Sequence, residues 1–438
     1  MLVRPDRSTS RRTVLAGASA AALTAGLAAC GRSGTGDSRA SAPISVTDGP
    51  ATGTVEFWAG APDGDSLPPF IAAFKKENPD VTVNVTTIPS SEFDTKLTAA
   101  IASGRVPDLV SLYSQTQSSI LATGAFQTVP EGLVDLGSFF EPALAGVTTA
   151  DGAHKAVPWY AYARVNYYRK DVVDGLGLTP PTTWEENEAF CRQLVAAGHS
   201  IPLGMAVAWD EYSAEALSEY VHQNGSSLTT EDGKGWAINA AANVQALEYF
   251  ASLFTAGYSS PDGPAFLDVV PWLTSGKNVV NVSNGPWLPG WIDEAAGEGY
   301  VAKNIGVYAQ PAGPGGAKAA ALGGGSLGVL DRGGNAQAAW KLVEYLSRPQ
   351  VQVQWYQTFG NLPAVQSAWD DPAIADDELL APVRDAIPTA FGAPTAATWS
   401  QVADVIGKQM EQVVRGGSTA QAALDEAQKQ AEALGTGA

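Results

Sequence analysis

Cysteine is nearly absent from this chain: Cys30 and Cys191 are the two in 438 residues, so no framework of intramolecular disulfides can hold it together. Histidine is almost as scarce. His154, His199 and His222 are scattered with no metal-ligand spacing, so structural or surface places are expected for them and no metal is. Basic residues are outnumbered, 26 Lys and Arg against 45 Asp and Glu, for a formal charge of −19. Such a surface repels phosphate backbones and anionic lipid heads, so nucleic acid is not an expected partner and no basic patch serves a membrane. The sequence holds no H-E-x-x-H and no Walker loop, and no nucleophile elbow or dinucleotide fingerprint is read in it. The run Gly323-Gly324-Gly325-Ser326 precedes a strand and lacks the Lys and helix of a phosphate cradle, so a bend between lobes is expected there and no cofactor. Heptads, internal repeats and spanning-length apolar runs are also missing.

What is present starts with the first thirty residues. Arg4, Arg7, Arg11 and Arg12 form a basic region, a short apolar run follows, and Leu27-Ala28-Ala29-Cys30 closes it. The apolar run is too short to cross ~30 Å of hydrocarbon. The pattern is that of a secretory signal. The Arg pair resembles the twin-arginine export motif, with Val14 and Ala16 in place of its usual Phe and Lys, which leaves the ordinary secretory route open. Leu-Ala-Ala-Cys resembles the bacterial lipobox, in which the cysteine is acylated and becomes the first mature residue. Residues 1–29 are therefore expected to be removed, taking four Arg and one Asp and moving the charge to −22. Residues 30–53, rich in Gly, Ser, Thr and Ala, read as a lipidated cysteine on a flexible tether. The expected place is the outer face of the cytoplasmic membrane.

From Thr54 the pattern changes to short apolar strands alternating with amphipathic helices. Strands are expected at 54–58, 81–88 and 108–113, with helices at 70–77 and 91–103 between them. This βαβαβ order implies a mostly parallel sheet with helices on both faces. Further strands are expected at 164–168, 203–208, 279–282 and 327–330. Helices are expected from a capping box at Thr183-x-x-Glu186 to about 197, and at 240–254, 335–347, 398–414 and 418–434. Length and composition provide for two domains, because single cores stop growing near ~250–300 residues.

Ligands of open α/β sheets bind beyond the strand ends, and several such places carry aromatics. Trp58, Tyr113, Trp159, Tyr162, Trp209 and Trp287 fall there, with Asp63, Asp65, Asp210 and Asn284 as hydrogen-bonding neighbours. Flat indole and phenol faces suit the C–H faces of sugar rings while carboxylates and amides take the hydroxyls. Core packing is the competing explanation for each aromatic, and it is the expected one for Trp184, Trp340 and Trp355 within predicted helices. Paired carboxylates for glycoside hydrolysis could be drawn from Asp63, Asp65, Asp210 and Glu211, although any acidic chain offers such pairs.

A resemblance covers nearly all of the chain after the tether. Val55-Glu-Phe-Trp58, Phe70-Ile-Ala-Ala-Phe-Lys-Lys-Glu-Asn-Pro79, Lys96-Leu-Thr-Ala-Ala-Ile-Ala-Ser-Gly104 and Pro107-Asp108 are similar to the amino-terminal pattern of family 1 extracellular solute-binding proteins, the sugar receptors of ABC importers. Tyr167-Tyr-Arg-Lys-Asp171, Pro181-Thr-Thr-Trp-Glu185, Gly285-Pro-Trp287, Ala338-Ala-Trp-Lys341 and Gly360-Asn-Leu-Pro363 continue it. The resemblance implies a two-lobe, hinged, type II-like fold that closes over a mono- to oligosaccharide. One lobe is then 54–160 with 322–365 and the other 161–321 with 366–436, crossing near 160–163, 318–324 and 363–378. It further implies delivery to ABC permease subunits by a non-enzymatic, monomeric receptor. By the same resemblance Trp287 and Trp399 match sugar-stacking tryptophans, while Tyr162 stands where the maltodextrin receptors place an acidic ligand residue. A secreted glycan-cleaving enzyme and a same-fold receptor for a non-sugar solute are the alternatives.

Overall fold

The computed structural model describes residues 44–437 except 150, 206, 264–267 and 276–277. The signal segment and Cys30 lie outside the described residues. Ordered packing begins before Thr54. The Ala51 amide donates to Asn78 at 2.6 Å, Thr47 donates to Gln337 at 3.0 Å, and the Gly49 carbonyl accepts from Lys341 at 2.6 Å. The last residues of the expected tether are thus tied to the folded body by backbone hydrogen bonds, which a composition of small residues does not reveal.

Five strands form the first sheet: β1 (Gly53–Gly60), β2 (Val81–Ile88), β3 (Leu109–Tyr113), β4 (Val157–Ala163) and, far along the chain, β8 (Leu322–Val329), in the order β2-β1-β3-β8-β4. β1 pairs parallel with β2 and β3, but β8 lies antiparallel between β3 and β4. The sheet is therefore mostly parallel, as expected, with β8 the one strand that runs against the other four. The chain leaves this lobe through β4 and returns through β8, so the returning strand runs opposite to its neighbours. Helices cover both faces. Val55, Phe57 and Ala59 point into a core shared with Phe70, Phe74, Trp340 and Trp355, while Trp58 packs on the other face with Phe93, Leu97 and Val110. That split is the two-residue period of a strand.

Three strands, β5 (Val165–Arg169), β6 (Asn281–Asn284) and β7 (Ile305–Tyr308), make an all-antiparallel second sheet in the order β6-β5-β7. Beside it a helical core gathers Leu217, Phe250, Trp399, Met410 and Leu424 from helices Glu211–Gln223, Ala241–Thr255, Trp399–Val414 and Ala420–Leu434. Among the described residues of 203–208 no strand forms beyond a bridge from Leu203 to Asn281. The capping box is present: Thr183 accepts from the Glu186 amide at 3.2 Å, and Glu186 reaches back to the Thr182 amide at 2.8 Å. The last helix is capped by Thr419 instead of Ser418.

Three segments join the lobes side by side. Arg164 links β4 to β5, its amide donating to Ala321 at 3.2 Å. Residues 320–322 lead into β8, and Ala321 bridges to Phe391, whose carbonyl accepts from the Leu322 amide at 2.7 Å. The third crossing thus falls at Phe391, later than the expected 363–378. Residues 366–389 stay with the first lobe because Trp369 packs edge-on against Phe140 (5.4 Å between centroids) and Gln366 donates to the Phe139 carbonyl at 2.7 Å.

Candidate functional site

The recess between the lobes is built on the glycine run. Gly323, Gly324 and Gly325 lie inside β8, opposite Tyr162, Ala161 and Tyr160 of β4, and are no free bend. A Cβ at Gly323 would overlap the Tyr162 ring, and one at Gly324 would strike the Tyr160 carbonyl. Small residues on β8 therefore allow the phenols of β4 to fold across the strand. Tyr162 in turn meets Trp287 edge-on, with ring centroids 4.6 Å apart and planes at 89°. Trp287 comes from Gly285-Pro286-Trp287 after β6. Its ring lies back over Gly285, Trp291 flanks it at 6.1 Å, and Gly360 of the other lobe presses on its backbone. The Tyr162–Trp287 contact therefore spans the lobes.

On the first-lobe side, Asp63 sits in the short helical turn Asp63–Ser66 after β1. It is 3% exposed and accepts from the Tyr160 hydroxyl at 2.8 Å and from Asn361 at 3.4 Å. Burial pushes its carboxyl up to about 7, against the lowering pull of those two donors. Tyr113, at the end of β3, lies over Gly60 and packs edge-on against Phe93 at 6.1 Å. Burial, with the Asp63 charge adding to it, raises its hydroxyl above the ordinary value of 10, and burial does the same to Tyr160 and Tyr162. All three stay protonated hydroxyls at neutral pH.

On the second-lobe side, Asp210 caps the helix Glu211–Gln223 by accepting from the Tyr212 amide at 3.1 Å. One turn on, Glu215 pairs with Arg164 at 2.9 Å, both side chains mostly buried. A recess open to solvent is lined by Ser114, Gln115, Glu215, Ser218, Phe391 and Trp399 among others. A second open space lies in the second lobe on another side of the same helix.

Of the sequence-derived set, Trp399 lines this recess and Tyr113 directly precedes the lining residue Ser114, while Tyr162 meets Trp287 and Asp63 is buried against Tyr160. Others of the sequence-derived set lie elsewhere. Trp58 is inside β1, which runs on to Gly60, and packs with a core face. Trp159 is 1% exposed, its ring 4.4 Å from Trp355. Trp209 packs on Phe254 at 5.9 Å and donates to the Pro261 carbonyl at 3.1 Å. Asp65 is exposed on its turn, and Asp210 serves as a helix cap. Arg164, Glu215, Gln115 and Phe391 escaped the sequence reading. The helical spacing of Glu215 and Ser218 was the one available signal for part of this set.

Gly324-x-Ser326-x-Gly328 has the letter spacing of a nucleophile elbow, which the reading by motif overlooked. Ser326, however, is buried mid-strand between Leu112 and Pro158, away from any strand-to-helix turn. Among the described residues no group of three His, Cys, Asp or Glu is placed to hold a metal, and no helix is long and apolar enough to cross a membrane.

Comparisons with known proteins agree with this architecture. A family model described as bacterial extracellular solute-binding protein matches residues 70–382. A binding protein of Brucella abortus is 26% identical over 377 residues, 83% of this chain and 88% of its own length. The sn-glycerol-3-phosphate-binding periplasmic protein UgpB of Pectobacterium atrosepticum is 25% identical over 397 residues, 82% of this chain and 86% of its own. The maltose-bound MalE3 of T. maritima superimposes with a TM-score of 0.79 at 22% identity, covering 87% of this chain and 99% of that one. That likeness speaks for the two-lobe fold. The chain therefore belongs to the bacterial extracellular solute-binding protein family.

Proposed function

We propose that this protein is a lipid-anchored receptor that captures a mono- to oligosaccharide between its lobes and hands it to an ABC permease. The observation that carries the reading is the recess itself, where the Trp399 indole lies with the hydroxyl, amide and carboxylate groups of Ser114, Gln115 and Glu215, near the Tyr162–Trp287 pair. Aromatic faces cover apolar sugar faces while Gln115, Ser114 and Glu215 exchange hydrogen bonds with hydroxyls. Trp399 and Tyr113 extend the same surface. Bound solute favours the closed arrangement because only that arrangement lets both lobes touch it. Relatives carry names or titles that tell of sn-glycerol 3-phosphate and of maltose, and the charges of this recess favour the second class. Arg164 is already held by Glu215 at 2.9 Å, and the Glu215 carboxylate in the recess wall opposes a phosphate.

A panel of saccharides, polyols and sn-glycerol 3-phosphate in a thermal-shift assay tests this, since a ligand at 100 times its dissociation constant adds ~2.7 kcal/mol of stability. The expected result is a shift with a neutral sugar, which is then recovered intact after long incubation. A shift with the phosphate alone, or a cleaved sugar, contradicts the reading. Anchoring is tested separately: Cys30→Ser is expected to leave the protein unprocessed or released into the medium, and retention of a processed variant on the membrane contradicts it.

A further inference from the structure

One helix, Glu211–Gln223, reaches all three inter-lobe crossings. Glu215 pairs with Arg164, the residue that forms the first crossing, at 2.9 Å. Glu219, one turn later, accepts from the Ala321 amide of the second crossing at 3.1 Å. His222 stacks flat on Phe391 of the third, with centroids 3.8 Å apart and planes at 7°. The spacing 215, 219, 222 places these side chains on adjacent turns of one side of the helix. Glu215 and Ser218 of that same side line the inter-lobe recess.

The rest of the helix explains why those contacts set its position. Ala214, Leu217 and Val221 anchor one stripe in the helical core. Ala216, Tyr220 and Gln223, on another, with Glu219 between the two, border an open space shared with Asn166 and Ser283 of the second sheet. Close-packed interiors hold an element from every side; here the sheet-facing side borders that space.

We propose that this helix couples the recess to lobe orientation, with Arg164 as the positioning residue that holds Glu215 in the recess wall and fixes the first crossing. The inference rests on the two-lobe receptor reading, but its test needs no solute, so failure to find a ligand does not touch it. Arg164 spends its charge on Glu215 and the nearby Glu219, both of which favour its charged form. Loss of the guanidinium releases the helix from the first crossing, and loss of the Glu219 acceptor releases it from the second.

The experiment measures the distance between spin labels at Lys96→Cys and Lys429→Cys, exposed positions on the two lobes, in the full chain carrying Cys30→Ser. Cys191 is buried. Arg164→Gln and Glu219→Leu are each expected to raise the ratio of wide to narrow lobe separations on the order of tenfold, the range of a lost charge-assisted hydrogen bond. Arg164→Lys is expected to restore most of the parental distribution. Leu194→Ala, a core truncation away from the hinge, is expected to lower the melting temperature and leave the distances alone. A parental distribution in folded Glu219→Leu overturns the proposal whether or not Arg164→Gln folds. A shift in Leu194→Ala equal to theirs overturns it as well.

Discussion

Trp287 and Trp340 show how two tryptophans of similar burial separate by their surroundings. Trp340 is fully buried beneath β1 and donates to Gln127 at 2.8 Å, so its replacement by alanine opens a cavity and is expected to cost ~3–5 kcal/mol of stability. Trp287 is 7% exposed and bears on Tyr162 at the meeting of the lobes. Trp287→Ala is therefore expected to lower the melting temperature too, and in addition to weaken sugar binding by ~1–3 kcal/mol. Titration beside thermal melting distinguishes them: Trp340→Ala that folds binds like the parent, and a Trp287→Ala variant with parental affinity is structural only. Asp63 supplies a second test at this scale. Its carboxyl titrates at about 7 in the folded protein against an ordinary 3.8, so between those values the folded chain keeps a proton that the unfolded chain has lost. Stability from this group is highest below about pH 4 and falls as pH rises through about 7. Asp63→Asn removes that ionisation while keeping a polar group towards Tyr160 and Asn361. The fall in melting temperature from pH 5 to pH 8 is expected to be smaller than in the parent, and an equal fall shows that Asp63 ionises normally. The Glu219 carboxyl, raised to about 7 by burial, contributes the same sign of slope and stays in place.

At the scale of the element, β8 decides the site. Its glycines read as a bend because nothing in Gly-Gly-Gly tells that phenols from a strand some 160 positions earlier lie across it; that knowledge is tertiary. Gly323→Ala is expected to drive the Tyr162 ring off the strand, with a loss of ~1–3 kcal/mol in stability and weaker sugar binding. A variant with parental binding and melting would show that the ring has another place to go. The strands β1 to β3 and the long helices were legible from period and caps, as Thr183 with Glu186 illustrates. Which aromatics reach the recess was less so. Trp58 and Trp159 lie within β1 and β4, where alternation sends Trp58 to a core face and Trp159 packs on Trp355. Glu215 and Arg164, which pair with each other, lie some 50 positions apart and carry no local signature.

For the molecule as a whole, two sheets with separate helical neighbours joined by three adjacent segments give the architecture of a clamp. β4 runs straight into β5 and β8 follows the second lobe, which sets two of the joining segments side by side. The third joins at Phe391, since Trp369 and Gln366 hold the segment after Pro363 against Phe140 and Phe139. The central claim is that this clamp closes on a solute. Small-angle scattering of the full chain carrying Cys30→Ser, with and without a saturating sugar found in the thermal-shift panel, tests it most directly. The account predicts a smaller radius of gyration with sugar and an unchanged far-ultraviolet circular dichroism spectrum. An unchanged scattering profile with binding confirmed by titration would contradict it.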